Sequence, residues 1–260
     1  MSLRALIFPM IQCVLAIGSF ELNARMLEYN LVESEPKIYL HPNSERIGHT
    51  WVNGMVWDKP LIEQFYSILK QHDPFFVAID FGAQTGSFSL LSKFFPFSRW
   101  HAFEPLKEAA DTLKENLLLN GIQNVAVHQM AGSNQSGKAF LKMPSMNAWG
   151  LSTLGENVLR FNPLLEREVD CIDLDTFVAI HQIEKVHFIK IDVEGWELNI
   201  LLGAKNVIAR DHPVLLLEYN ETNMRQCKIE KNQVDDLLKE MGYEWNLVSS
   251  EDILCIPIKS

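Results

Sequence analysis

The sequence predicts an α/β protein built on a doubly wound, mostly parallel sheet. Three observations carry that prediction. From Phe75 onward, short apolar runs of strand length alternate with longer stretches of helical period, the pattern that puts helices on both faces of a parallel sheet. Four of the apolar runs end in an acid: Asp80, Glu104, Asp192 and Glu218. The first of them runs into a turn bracketed by glycines, "DFGAQTGSF".

The elements follow in order. "PKIYLHP" reads as a short extended fragment inside a stretch, Glu28 to about Pro60, that has no clear period. "PLIEQFYSILKQH" spaces Leu61, Ile62, Phe65, Ile68 and Leu69 as a helix does. "FFVAIDFG" is an apolar strand, "SFSLLSKFF" a short helix stopped by Pro96, and "WHAFEP" a second strand. The long helix "LKEAADTLKENLLLNG" ends in Asn-Gly, a common helix stop, and "NVAVHQM" is a third strand. Gly132 to Phe177 is irregular, with strands in "GKAFLKM" and "REVDCIDL". Then come the strand "HFIKIDVEG", the helix "WELNILLGAKNVIA", the strand "PVLLLEYN", the helix "NQVDDLLKEMGY" and two terminal strands, "EWNLVS" and "DILCIPI". The expected organisation is an N-terminal extension over 1–60 and one α/β domain over 61–260.

With 260 residues, 47% apolar and 22% charged, the composition is that of an ordinary globular protein. A net charge of -10 disfavours a long nucleic-acid footprint, which needs a basic face. Cys13, Cys171, Cys227 and Cys255 are scattered without a CxxC pair, so separate thiols in a reducing, cytoplasmic compartment are expected rather than a zinc site or disulfide framework. "RALIFPMIQCVLAIGSF" is too short for a spanning helix, which takes about 20 apolar residues. It reads as a packed segment, with the core of a signal peptide, or a membrane-associated N-terminus, as the alternative.

In an open α/β sheet the ligand crevice lies outside the carboxyl ends of the strands, where the four acids fall. For each acid alone, a helix-capping or dipole-facing role is the plain alternative. Gly82 and Gly86 enclose the first turn, with Ala83, Gln84 and Thr85 between them, and are expected to let a ligand approach the backbone closely. Glu104 lies 22 positions after Gly82, where an acid can hold the two hydroxyls of a ribose. The G-x-x-x-G spacing departs from the G-x-G-x-x-G of a pyrophosphate site. It suits the amino-acid end of a nucleoside without phosphates, such as S-adenosylmethionine.

Taken in order, "VAIDFGAQTGSFSLL", "HAFEP", "VDCIDLDTF", "FIKIDVEGWELNILLGA" and "PVLLLEYN" resemble the FkbM-type S-adenosylmethionine-dependent methyltransferases, over roughly Phe75 to Tyr243. "KIDVEGWELNILLGA" is the most specific part. The resemblance implies a Rossmann-like class I methyltransferase fold of seven strands with an antiparallel last strand, S-adenosyl-L-methionine as cofactor, and O-methylation of a small-molecule or glycan acceptor. It assigns Asp80, Gly82, Ala83, Gln84 and Gly86 to the cofactor loop, the Gln84 side chain without a definite role. Glu104 falls to the ribose, Met130, Ala131 and Ser133 to the border of the adenine, and Asp192 and Glu194 to the vicinity of the reactive methyl.

A sulfonium methyl is already electrophilic, so the protein must chiefly align an acceptor oxygen and exclude water. An alcohol must also lose a proton, and Asp192 is the leading candidate to take it. In an extended chain Lys190, Asp192 and Glu194 share one side, so Lys190 would neutralise or orient the carboxylate. A Lys190–carboxylate pair that only ties elements together is the alternative. His49, Trp149, Glu218 and Asn220 are weaker candidates for the acceptor side. A divalent metal on Asp192, Glu194 and Glu218 is disfavoured by the lack of a His ligand or dense Asp cluster. Competing functions are a non-catalytic nucleoside-binding domain, a nicotinamide-dependent oxidoreductase, which the missing third glycine opposes, and an RNA methyltransferase, which the acidic charge opposes. Oligomeric state is not readable.

Overall fold

A computed structural model describes residues 26–44, 51–52, 55–56, 58–143, 149–155 and 165–258. Two short antiparallel ribbons come first, β1 (Leu27–Tyr29) with β2 (Ile38–Leu40) and β3 (Trp51–Val52) with β4 (Met55–Val56). Helix α1 (Lys59–Lys70) follows and buries Leu61, Ile62, Phe65, Tyr66 and Leu69, the stripe its spacing predicts. Proline in its first turn suits a helix start, where the missing N–H is not needed.

The main sheet takes β5 (Val77–Phe81), β6 (Arg99–Phe103), β7 (Val125–His128), β11 (Phe188–Ile191), β12 (Val214–Glu218), β13 (Tyr243–Leu247) and β14 (Asp252–Pro257). A separate sheet holds β8 (Ala131–Gly132), β9 (Gly137–Met143) and β10 (Leu165–Ile172). The seven strands lie in the order β13-β14-β12-β11-β5-β6-β7, all parallel except β14, which runs against both neighbours. The order reverses between β5 and β11, and a ligand crevice opens at such a switch point. This is the doubly wound, Rossmann-like class I arrangement with an antiparallel last strand, as the sequence predicts.

Both faces are covered. On one, Ile79, Phe81, Ile189, Ile191, Leu215 and Leu217 pack with helices α3 (Leu174–Ile180), α4 (Glu197–Leu202), α5 (Lys205–Asp211) and α7 (Lys231–Glu240). On the other, Ala78, Trp100, Ala102, Phe188 and Leu216 meet α1, the 3-10 turn Ser89–Phe94 and Leu113 of α2 (Lys107–Leu119). Tyr29, Leu31, Ile38 and Leu40 of the N-terminal stretch join this second cluster. Burying a leucine or phenylalanine contributes about 1.5–3 kcal/mol each, so these side chains bind the stretch to the sheet.

Several elements differ from the sequence reading. "SFSLLSKFF" forms 3-10 structure over Ser89–Phe94, between Gly86 at φ +107 and Pro96. The helix read through "WELNILLGAKNVIA" breaks into α4 and α5 at Gly203, where an added Cβ would lie 2.2 Å from the Ser133 carbonyl. "DLDTF" opens α3, capped by Asp173, which accepts from the Thr176 N–H at 2.8 Å. Helix α6 (Glu221–Gln226) caps on Asn220 in the same manner. The segment Met130–Ser133, which the resemblance assigns to the border of the adenine, contains β8, paired parallel with Cys171 and Ile172 of β10. Cys171, Cys227 and Cys255 are free and buried. No helix among the described residues is long and apolar enough to cross a membrane. Cys13, the apolar N-terminal run and His49 lie outside the described residues.

Candidate active site

The four predicted acids meet at one rim. Adjacent strands are about 4.8 Å apart, so the ends of β6, β5, β11, β12 and β14 form a continuous shelf about 19 Å long. A cavity of about 360 Å³ lies along it, within the usual range for a small-molecule site. Gly82 and Gln84 border it after β5, and Phe103, Glu104 and Pro105 after β6. Asp192, Val193, Glu194 and Trp196 enter from the end of β11, and Glu218, Asn220 and Asn223 from the end of β12 and α6. Asp58 and Leu61 close one side, Glu251 and Asp252 another. Ala131, Leu141 and Gly150–Leu154 come from the second sheet and the stretch beyond it.

Beneath the shelf lies the charged pair that explains the alternation in "FIKID". Lys190 of β11 stands directly opposite Asp80 of β5 in register, and both are almost fully buried, at 4% and 1% exposure. The ammonium lies 3.4 Å from Asp80 Oδ1, without an aligned hydrogen bond there, and 3.4 Å from Asp192 Oδ2. It donates to the carbonyls of Phe81 at 3.3 Å and Gly82 at 3.0 Å, and Ser89 donates to Asp80 Oδ2 at 2.6 Å. Burial works to lower the Lys190 pKa, but Asp192 and Asp80 outweigh it and hold the ammonium above the ordinary lysine range. Lys190 is thus a fixed cation under the first turn, tying β5 to β11 and leaving Asp192 facing the cavity.

The turn itself is shaped by protein packing. Gly82, at φ +74, leaves no room for a side chain, since a Cβ would lie 1.9 Å from the Asp192 carbonyl oxygen. A Cβ on Gly86 would strike Leu113 at 2.5 Å. The two glycines are therefore required by close contact with the Asp192 carbonyl and with Leu113 of α2, and Gly82 also borders the cavity. The N–H groups of Gly82 and Ala83 donate to the Phe103 carbonyl at 3.1 and 3.0 Å, fastening the turn to β6.

Glu104 faces the turn. One carboxylate oxygen accepts from the Gln84 N–H at 2.9 Å, the other from the Leu106 N–H at 2.8 Å. Burial pushes its pKa up to about 7, against the pull of these two bonds. The second half of the rim is held by a buried network. Glu197 accepts from the N–H groups of Val193 and Gly195 at 3.1 and 3.0 Å, and burial raises its pKa to about 7. This pins a tight turn in which Glu194 takes φ +59, a conformation that costs about 1–3 kcal/mol for a non-glycine residue. Glu194 consequently leaves the strand line, and does not extend the Lys190–Asp192 face as an extended chain would. Asn223 bridges Glu194 and Glu218, donating to each at 2.7 Å, while the Glu194 N–H donates to Glu218 at 3.1 Å. Burial, then the charges of Glu197, Glu194 and Asp192, hold Glu218 well above the usual carboxylate range. Oxygens of Asp192, Glu194 and Glu218 fall within 4.8 Å of one another. Asn223 and the Glu194 N–H already serve two of these acids, so their closeness needs no ion.

Of the residues singled out from sequence, Gly82, Gln84, Glu104, Ala131, Asp192, Glu194, Glu218 and Asn220 border the cavity. Asp80, Ala83, Gly86, Met130, Ser133 and Lys190 are not among the residues that border it. Ser133 accepts from the Trp196 indole N–H at 3.3 Å and so steadies a residue that does line it. Trp149 opens a 3-10 turn, Trp149–Leu151, at the edge of the site. Asp58, Asn223, Glu251 and Asp252 border the cavity without having been singled out. Their only sequence signal was position, just before α1, after β12 and at the start of β14.

The methyltransferase FkbM domain family matches over residues 80–245, well over half of the sequence. The chain belongs to that family. "Methyltransferase 1" of Beauveria bassiana (strain ARSEF 2860) is 28% identical over 160 residues, which are 55% of this chain and 63% of that protein. The aligned part of this FkbM chain thus spans less than two thirds of that relative's length. Among solved structures, a methyltransferase FkbM from Methylobacillus flagellatus KT is 17% identical with a TM-score of 0.48, covering 76% of this chain and 50% of its own. A ribosomal protein L11 methylase from Lactobacillus delbrueckii subsp. bulgaricus is 14% identical with a TM-score of 0.49, covering 90% and 99%. The fold of this FkbM domain rests on its strand order and family match, not on these distant likenesses.

Proposed function

We propose that the chain transfers the methyl group of S-adenosyl-L-methionine to a hydroxyl of a sugar, glycan or secondary metabolite. One observation carries the reading. Among the described residues the cavity is bordered by seven carboxylates, Asp58, Glu104, Asp192, Glu194, Glu218, Glu251 and Asp252, and by no lysine, arginine or histidine. Such a wall suits a cationic cofactor bearing a sulfonium and an ammonium, and it repels phosphates. It therefore weighs against a dinucleotide and against the backbone of a nucleic acid entering this cavity.

The residues fit that cofactor. Glu104, with two oxygens each already oriented by one backbone N–H, would accept the ribose hydroxyls. The turn Gly82–Gly86, including Ala83 and Gln84, would hold the amino-acid end, with Asp80 and Lys190 bracing it from below. Ala131, with Met130 and Ser133 behind it, would border the adenine beside Phe103. Asp192 and Glu194 would stand beside the methyl, Asp192 orienting the acceptor while Lys190 fixes its carboxylate. Bound there, S-adenosyl-L-methionine supplies an electrophilic methyl group. The rest is alignment and exclusion of water, for which the Asn223 network and the stretch Gly150–Leu154 would provide a wall. Asp58, at the end of the N-terminal stretch, would border the acceptor side.

The test is transfer of a labelled methyl group to a panel of methyl glycosides, polyols, phenols, amines and carboxylic acids. Label in a base-stable ether supports the reading. Label only in amines or base-labile esters, or cofactor affinity without any product, contradicts it.

A further inference from the structure

Six of the seven carboxylates at the cavity are already engaged. Glu104 holds two backbone N–H groups, Asp192 pairs with Lys190, and Glu194 and Glu218 share Asn223. Glu251 accepts from the Asn220 amide at 2.8 Å, and Asp252 from the Ser249 hydroxyl at 2.5 Å. Asp58 is the exception. It occupies the N-cap of α1, where an aspartate ordinarily accepts from the helix N–H groups, yet it makes no capping bond, and no other donor reaches its carboxylate among the described residues. Like Glu251 and Asp252, it lies outside residues 80–245, the part that matches the family.

We propose that Asp58 is the base that takes the proton of the methyl-accepting hydroxyl. The proposal rests on the O-methylation reading above. As the acceptor oxygen forms its bond to the methyl carbon, the carbon–sulfur bond breaks with its electron pair left on sulfur, giving the neutral thioether product. The hydroxyl proton passes to the Asp58 carboxylate and is later released to water. The charged groups that act on Asp58 are Asp192 and Lys190 at the end of β11, and Asp252 and Glu251 at the start of β14. Burial, followed by the charges of Asp192 and Asp252, lifts the Asp58 pKa to about 6, with Lys190 pulling the other way. A carboxylate in that range is ionised at neutral pH and holds a proton better than an ordinary aspartate. Asp192, by contrast, is already paired with the Lys190 ammonium 3.4 Å away.

Two readouts test this. In ligand-free protein labelled with carboxyl-13C aspartate, two resonances should titrate near pH 6, one vanishing in Asp58→Asn and the other in Asp252→Asn. In transfer to the glycoside and phenol panel, the wild-type rate should rise with pH through the same range. Asp58→Asn should lose about 100-fold or more in rate, along with that rise, and keep its calorimetric affinity for S-adenosylhomocysteine. Asp252→Asn, the other aspartate lifted to about 6, should keep the rise. If Asp58→Asn also loses S-adenosylhomocysteine binding, Asp58→Glu decides: a restored pH-dependent rise supports the role, and its absence overturns it. An active wild type whose rate and profile survive Asp58→Asn overturns this inference alone. A wild type that methylates no hydroxyl overturns the reading beneath it, and this inference with it.

Discussion

Replacing Glu104 with glutamine removes a charge that the fold holds almost wholly out of water. The native carboxyl titrates at about 7, against an ordinary glutamate value of 4.5. Its folded pKa is raised, so between those values the native state binds more protons than the unfolded chain. Stability therefore falls as pH rises through that window and levels off above it. At about 1.4 kcal/mol per pH unit, the interval from 4.5 to about 7 corresponds to about 3 kcal/mol. Glutamine does not titrate, so the stability of Glu104→Gln relative to wild type should shift by about 3 kcal/mol in the variant's favour between about pH 4 and about pH 8. One amide oxygen cannot serve both the Gln84 and Leu106 N–H groups, and the stranded donor costs about 1–3 kcal/mol at every pH. The change with pH, rather than the sign at any one pH, is the diagnostic quantity. Urea unfolding of both proteins across that range measures it. Affinity for S-adenosylhomocysteine should fall about 10- to 100-fold, the worth of one hydrogen bond to a charged group. Parallel stability profiles would refute the buried-charge argument, and unchanged affinity would refute the ribose role.

Other substitutions probe the support beneath the site. Lys190→Met leaves Asp80 buried without its cation and should cost about 3–5 kcal/mol in urea unfolding; a loss below about 1 kcal/mol would mean the pair is not essential to the fold. Gly82→Ala puts a methyl against the Asp192 carbonyl at a positive φ, and strain of about 1–3 kcal/mol should weaken S-adenosylhomocysteine binding about 10- to 100-fold. Asp173→Ala removes the cap of α3 away from the cavity. It should cost about 0.5–2 kcal/mol of stability without changing that affinity.

The parallel sheet was legible because its strands are apolar on both sides and separated by helices with visible stops. The acids at the strand ends were legible for the same reason, since their positions depend only on where each strand finishes. Pairings across the sheet were not. That Lys190 faces Asp80 depends on β11 lying beside β5, a neighbour more than 100 positions away in the chain. The glycines were found, but the packing that requires them was not, because the atoms a Cβ would strike belong to Asp192 and Leu113. Glu194 departs from its strand through a turn held by Glu197, which no local pattern announces. Asp58, Glu251 and Asp252 reach the cavity only through tertiary packing, and Asp58 in sequence looks like any residue before a helix.

A structure of the protein crystallised with S-adenosylhomocysteine tests the central claim most directly. The account predicts the nucleoside along the ends of β5 and β6, its ribose hydroxyls on Glu104 and its sulfur turned toward Asp192. A ligand seated elsewhere, or a cavity left without it at saturating concentration, would contradict the account.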